Sequence, residues 1–150
     1  MLPSVSEQNF TQQILESPLP VVLNFWTPWC GLCLAINPLL LEFKSQWQGN
    51  INIFSINPDE NLKIASTYRL ASLPTLLFFN QGQVVERIEG FQGREELNRL
   101  LRKSALLLCK NDKKSSILKE NTSKSSLVKS SHLLNKAEGY GGLRGKNLES

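Results

Sequence analysis

Two thiols, Cys30 and Cys33, stand in the run Trp29-Cys30-Gly31-Leu32-Cys33 and are the residues best suited by type and spacing to do chemistry. The apolar run Val21–Trp26 precedes them and Leu34-Ala35-Ile36-Asn37-Pro38-Leu39-Leu40-Leu41 follows. A buried strand that ends in a short turn and opens a helix puts Cys30 at the helix N-terminus. There, backbone N–H groups without intrahelical acceptors and the helix macrodipole favour a thiolate. Cys33, about one turn further in, is placed to attack a mixed disulfide on Cys30 and close a small disulfide ring. The chemistry expected is thiol–disulfide exchange.

Two other readings of the pair compete with this one. Half of a zinc or iron–sulfur site needs two more soft ligands, and the chain offers only Cys109 and His132, both distant in sequence. Two inert core cysteines would leave the strand-to-turn-to-helix placement without a purpose. Redox is favoured, with no metal expected.

Several elements must position the pair. Ser4-Val5-Ser6-Glu7 resembles a capping box, with Ser6 an alternative cap, and Phe10, Ile14 and Leu15 make an apolar helical face ending near Ser17-Pro18. Val21–Trp26 is uninterrupted in the way of a strand buried on both faces. Pro38 should kink the helix that follows Cys30. Ile51, Ile53, Phe54 and Ile56 form the next strand, which Asn57-Pro58-Asp59 ends while capping a short helix through Leu62, Ile64, Ala65 and Tyr68. Leu76–Phe79 and Val84–Ile88 flank the turn Asn80-Gln81-Gly82-Gln83 as a hairpin. A last amphipathic helix starts near Gly93, with Leu97, Leu100, Leu101, Leu107 and Leu108 expected inward. The order α, β, α, β, α, β, β, α predicts an α/β fold: a central mixed sheet flanked by helices.

At 150 residues, with 41% hydrophobic and 20% charged residues, the chain has the composition of a soluble domain plus an appendage. Three cysteines, two of them in the pair, indicate a reducing compartment rather than a disulfide framework. The N-terminus shows no basic and apolar leader, and no run reaches transmembrane length, so a cytoplasmic setting is expected, or an organellar matrix or stroma after loss of a presequence. Residues 1–109 carry 8 basic and 9 acidic residues, whereas residues 110–150 carry 9 and 4. The net charge of +4 therefore belongs to the tail, and nucleic-acid binding by the front part is not expected. The division predicted is a domain over residues 1–108 and a basic, Lys/Ser-rich, low-complexity tail over 109–150, disordered or weakly helical. Lys114-Ser115-Ser116, Lys124-Ser125-Ser126 and Lys129-Ser130-Ser131, each followed by aliphatic residues, suggest docking on an anionic surface or acidic partner, against the alternative of a solvated extension. His132 reads as a solvated residue and Asn121-Thr122-Ser123 as a sequon without use in the cytosol. Cys109 reads as a helix-end cysteine or a regulatory thiol.

From about residue 4 to about residue 108 the chain resembles thioredoxin. Phe25–Cys33 looks like that family's redox turn, Pro38 its helix proline, Leu73-Pro74-Thr75 its cis-proline loop, Gly82 its hairpin glycine and Gly90 its groove glycine. The resemblance implies a thioredoxin fold and a protein disulfide oxidoreductase that needs no cofactor beyond its disulfide. It implies disulfide-containing target proteins and an electron donor of the thioredoxin-reductase type. Cys30 would be the attacking thiolate and Cys33 the resolving thiol. Trp29 and Leu32 would form an apolar rim, the Leu73 backbone would pair with an extended substrate, and Pro74 would keep a backbone N–H from the sulfurs. Gly31, Thr75, Gly90 and Phe91 complete the expected partner-contacting set.

Four departures from the family pattern bear on function. Leu32 replaces a proline between the cysteines, which predicts a less reducing couple. Asn24 replaces a buried aspartate that relays a proton to the resolving thiol, which predicts slower resolution. Ser55 replaces the lysine that neighbours that aspartate. Leu34 and Phe91 replace a basic and a small residue, and with Trp29, Leu32 and Leu73 they suggest an enlarged apolar patch. The Trp-Cys-Gly-Leu-Cys motif also resembles a C-type thioredoxin of cyanobacteria. A redox-poor binding module on the same fold is the alternative function.

Overall fold

The computed structural model describes residues 1–110, of which Met1–Cys109 form one unit. The expectations for the tail, including His132 and the Lys-Ser-Ser repeats, lie outside the described residues. Four strands, β1 (Val21–Phe25), β2 (Asn52–Ile56), β3 (Thr75–Asn80) and β4 (Gln83–Ile88), make one sheet in the order β2-β1-β3-β4. β1 pairs parallel with β2 and antiparallel with β3, and β3 pairs antiparallel with β4, so the sheet is mixed as predicted. The helices are α1 (Gly31–Gln46), α2 (Leu62–Thr67) and α3 (residues 93–110).

β1 is buried along its whole length and apolar at every position but Asn24, because both of its faces are covered. Val22, with Ile53, Leu76 and Phe78, turns to a core that includes Ile36, Leu40 and Phe43 of α1 and Leu97 and Leu101 of α3. Val21, Leu23 and Phe25, with Leu77 and Phe79, turn to a second core containing Phe10 and Ile14. The strand period of two puts Asn24 on the Val22 face, toward α1. Asn24 is the one polar residue in that buried strand.

The hairpin between β3 and β4 turns through Gln81 and Gly82, both at positive φ (52° and 79°), the geometry that suits the twist of a two-residue hairpin. A Cβ on Gly82 would lie 2.9 Å from the carbonyl oxygen of Leu15, so glycine is needed there for space as well as for φ. α1 runs through Pro38, which lies on its exposed side.

The start of the chain differs from expectation. Thr11–Leu15 is a single π-helical stretch whose N-cap, Phe10, provides no side-chain cap. No capping box forms, because Ser4 bridges in parallel to Ser55 beside β2, while Glu7 accepts a 2.7 Å hydrogen bond from the N–H of Lys63. Glu7 thus places a carboxylate at the positive end of α2, a role that sequence assigned to the Asn57-Pro58-Asp59 turn. Leu107 was expected inward but is exposed, whereas Leu108 is buried, since α3 turns its core face through Leu97, Leu101, Ala105 and Leu108.

Candidate functional site: a cysteine pair between a cleft and a cavity

The turn after β1 brings Cys30 to the N-cap of α1 in an extended conformation. Its Sγ accepts a 3.1 Å hydrogen bond from the N–H of Cys33, so the sulfur occupies the place of an N-cap side chain. Cys30 and Cys33 are joined in a disulfide, with their Cα atoms 5.2 Å apart. Cys30 exposes only 8% of its surface and Cys33 2%, so the first is recessed rather than openly exposed. It is reached through a cleft of about 770 Å³ that it shares with Trp29 and Leu73.

The cleft has a braced floor and rim. The Trp29 indole is 71% exposed, and its Nε1–H donates to Asp59 at 3.1 Å, which fixes the ring at the cleft's edge. Asp59 is itself oriented by an Asx turn, its N–H donating to the Asn57 side chain at 3.0 Å. The Leu73–Pro74 peptide is cis. Thr75, fully buried, donates its hydroxyl to the Ser72 carbonyl at 2.8 Å and pairs with Phe25 across the sheet, tying that loop to β1. Gly31 and Leu32 are exposed in the first turn of α1.

Behind the disulfide, Cys33 lines a second cavity of about 40 Å³ together with Asn24, Ser55, Trp26 and Leu34. Asn24 and Ser55 are direct cross-strand partners of the parallel β1–β2 pair. Asn24 is 3% exposed, and its Oδ1 has no hydrogen-bond partner among the described residues. No carboxylate and no imidazole lines this cavity.

The apolar patch expected around the sulfur is not one surface. Phe91 is 7% exposed and belongs to the α1–α3 core, because the chain after Gly90 (φ +65°) turns it inward to pack in the same core as Leu97. Leu34 is exposed, but it borders the Cys33 cavity and not the cleft. Gly90 is exposed in open space and does not line the cleft.

Sequence reasoning missed Asp59, Arg69, Arg87 and Glu89. Arg87 donates to the carbonyls of Tyr68 (2.7 Å) and Arg69 (3.0 Å), and its Nε–H donates to Glu89 at 3.1 Å. This capping of the α2 C-terminus joins β4 to the cleft wall. A basic residue in the edge strand was the available signal. Cys109 is half-buried against the α1–α3 core. Among the described residues no cluster of His, Cys, Asp or Glu could hold a metal ion, and no helix is long and apolar enough to cross a membrane.

A mixed sheet that delivers a cysteine pair to a helix N-terminus opposite a cis-proline loop defines a thioredoxin-type disulfide oxidoreductase. The thioredoxin family model matches residues 2–103, and the chain belongs to that family. Thioredoxin 1 of Nostoc sp. is 38% identical over 99 residues, covering 66% of this chain and 92% of its own length. The thioredoxin of Synechocystis sp. is 41% identical over 88 residues, covering 59% and 82%. The chloroplastic M-type thioredoxin of Spinacia oleracea is 40% identical over 86 residues, covering 57% and 48%. The active group is the cysteine pair, without a cofactor, and membership of the family implies disulfide-bearing target proteins and a reductase.

Proposed function

We propose that the Cys30–Cys33 couple reduces disulfides of partner proteins in the cytoplasm, at a potential less reducing than is usual for thioredoxins and with slow resolution of the mixed disulfide. Cys30 thiolate attacks one sulfur of the partner's disulfide, and the partner's other sulfur leaves as a thiolate and takes a proton. Cys33 then gives up its proton, and its sulfur attacks Cys30 Sγ, expelling the partner's remaining thiolate. The partner gains two electrons and the couple becomes the disulfide; a reductase with two electrons and two protons restores the dithiol.

The observation that carries the reading is what surrounds each sulfur. Cys30 caps α1, and Leu32 in the first turn keeps a backbone N–H that a proline would lack. An added donor at the helix N-terminus stabilises the Cys30 thiolate, favours the dithiol and raises the potential. On the other side, the Asn24 amide can hydrogen-bond but cannot take the proton that Cys33 must release. The Gly31-Leu32 dipeptide supports placing the chain beside the cyanobacterial C-type thioredoxin within its family. The basic composition of the tail supports an anionic surface or acidic partner for residues 109–150.

A Cys33→Ser variant of the full chain tests the exchange. It should accumulate mixed disulfides on Cys30 that dithiothreitol releases, and Cys30→Ser in the same background should accumulate none. Partners retained without a disulfide link would instead support the binding-module alternative.

A further inference from the structure

α2 ends at Tyr68, and Arg69 follows it with φ 50°, in the left-handed region. The Leu70 N–H donates to the Ala65 carbonyl (2.9 Å) and the Arg69 N–H to the Ser66 carbonyl (3.1 Å). These are the two hydrogen bonds of a Schellman C-cap, and they put Arg69 at the position where glycine is favoured because a Cβ is crowded there. Nothing in the cap itself uses a side chain at this position. The Arg87 guanidinium holds the Tyr68 and Arg69 carbonyls from β4, so the surrounding structure sustains the conformation.

Arg69 lines the cleft that contains Cys30, Trp29 and Leu73. The cleft has one other charged lining residue, Asp59, whose carboxylate is engaged by the Trp29 indole. The remaining wall is largely apolar, from Pro58, Leu62 and Leu70. Among the described residues Arg69 has no ion-pair partner. A segment entering this cleft meets apolar walls, a sulfur and the Asp59 carboxylate at the Trp29 rim. At the end of α2 it meets a guanidinium that has no ion-pair partner among the described residues and whose planar fork suits a carboxylate.

We infer that Arg69 is a specificity-determining residue that selects partner segments bearing an acidic side chain beside the cysteine to be attacked. The inference rests on the reading above, in which the cleft receives the partner's disulfide-bearing segment. Asp59 keeps its charge while accepting from Trp29, so the two charges of the cleft mark different places: the Trp29 rim and, at Arg69, the end of α2. At the segment position that reaches Arg69, a lysine faces like charge, and a glutamate or aspartate gains an ion pair.

The test separates recognition from redox chemistry. Synthetic peptides with serine in place of cysteine, and with glutamate, glutamine or lysine at each flanking position in turn, are titrated into the oxidised full chain, followed by calorimetry. At the best flanking position the glutamate peptide should bind about fivefold tighter than the glutamine peptide, with the lysine peptide weakest, the scale of one solvent-exposed ion pair. The preference should fade in 1 M salt, as screening requires. Arg69→Gly, which suits the cap and keeps the fold, should abolish the preference, and Arg69→Glu should invert it toward lysine. Equal affinities in the wild type, or a preference that survives Arg69→Gly, would overturn the assignment. Cysteine-containing disulfide forms of the same peptides, offered to the reduced protein, report on the oxidoreductase reading separately: failure to reduce any of them would sink that reading, while the serine peptides still decide Arg69.

Discussion

On the Cys30 side, the disulfide opens into a cleft of about 770 Å³ with an exposed indole, a carboxylate and a guanidinium on its walls. On the Cys33 side it closes onto a cavity of about 40 Å³ lined by two amides, Asn24 and Asn37, by Ser55 and by largely apolar residues that include Met1. The first flank is built for an arriving molecule, since it combines volume, charge and aromatic surface. The second offers Cys33 neither a carboxylate nor an imidazole, and its Asn24 and Ser55 side chains can position the thiol but cannot take its proton. In the proposed function, one thiol faces the side where a partner arrives, and the other lacks a neighbouring carboxylate that would speed its turn. On the function proposed, the dithiol chemistry is retained while its timing and its poise are moved.

The largest expected effect comes from restoring a titratable group to the closed flank. Asn24→Asp puts a carboxyl in a site that is 3% exposed, where desolvation holds its pKa well above the usual carboxylate range. That group can accept the Cys33 proton near neutral pH. Resolution of a preformed mixed disulfide, followed by stopped-flow fluorescence, should accelerate by about tenfold or more, within the range of general-base assistance. An unchanged rate would mean that proton removal from Cys33 does not limit the step.

On the open flank the effects are smaller. Arg69→Gly relieves a left-handed arginine and should raise stability by about 1 kcal/mol in chemical denaturation, together with its loss of acidic-segment preference. A loss of stability would show that the Arg69 side chain contributes to the fold. Tyr68, the cap residue of α2 next to Arg69, packs against the second core and sets an alkaline limit. Burial raises its hydroxyl above the ordinary 10.0, and its ring packs at 5.5 Å against Phe79. The unfolded chain gives up this proton first, so the contribution to stability is full below about pH 10 and declines as pH climbs from there through the folded value. Unfolding midpoints between pH 9 and 11 should fall by a small amount that Tyr68→Phe removes.

The sequence made the closed flank far more legible than the open one. The cysteine pair, the buried strand and the amphipathic α1 are local patterns, and the parity of a strand is enough to put Asn24 under α1. Asn24 and Ser55 were singled out by the family resemblance, and the parallel register of β1 and β2 makes them direct neighbours. The open flank is assembled from residues far apart in the chain. Asp59 reaches Trp29, Arg87 reaches the end of α2, and Glu7 caps α2 from the other end, none of which a local pattern encodes. Phe91 shows the same limit, since its inward turn depends on the backbone at Gly90 rather than on hydrophobicity. Leu107 and Leu108 differ by one position on α3, a rotation too fine for the periodicity of a leucine-rich run to settle.

The poise of the couple is tested most directly by equilibrating the full chain with glutathione buffers and counting Cys30 and Cys33 thiols by alkylation, with Leu32→Pro alongside. The wild type should titrate at a less negative potential than the roughly −270 mV of thioredoxin, and Leu32→Pro should lie lower by about 30 mV, a tenfold change in the equilibrium constant. A wild-type potential equal to or below that of thioredoxin would contradict the reading that Leu32 at the helix start favours the dithiol.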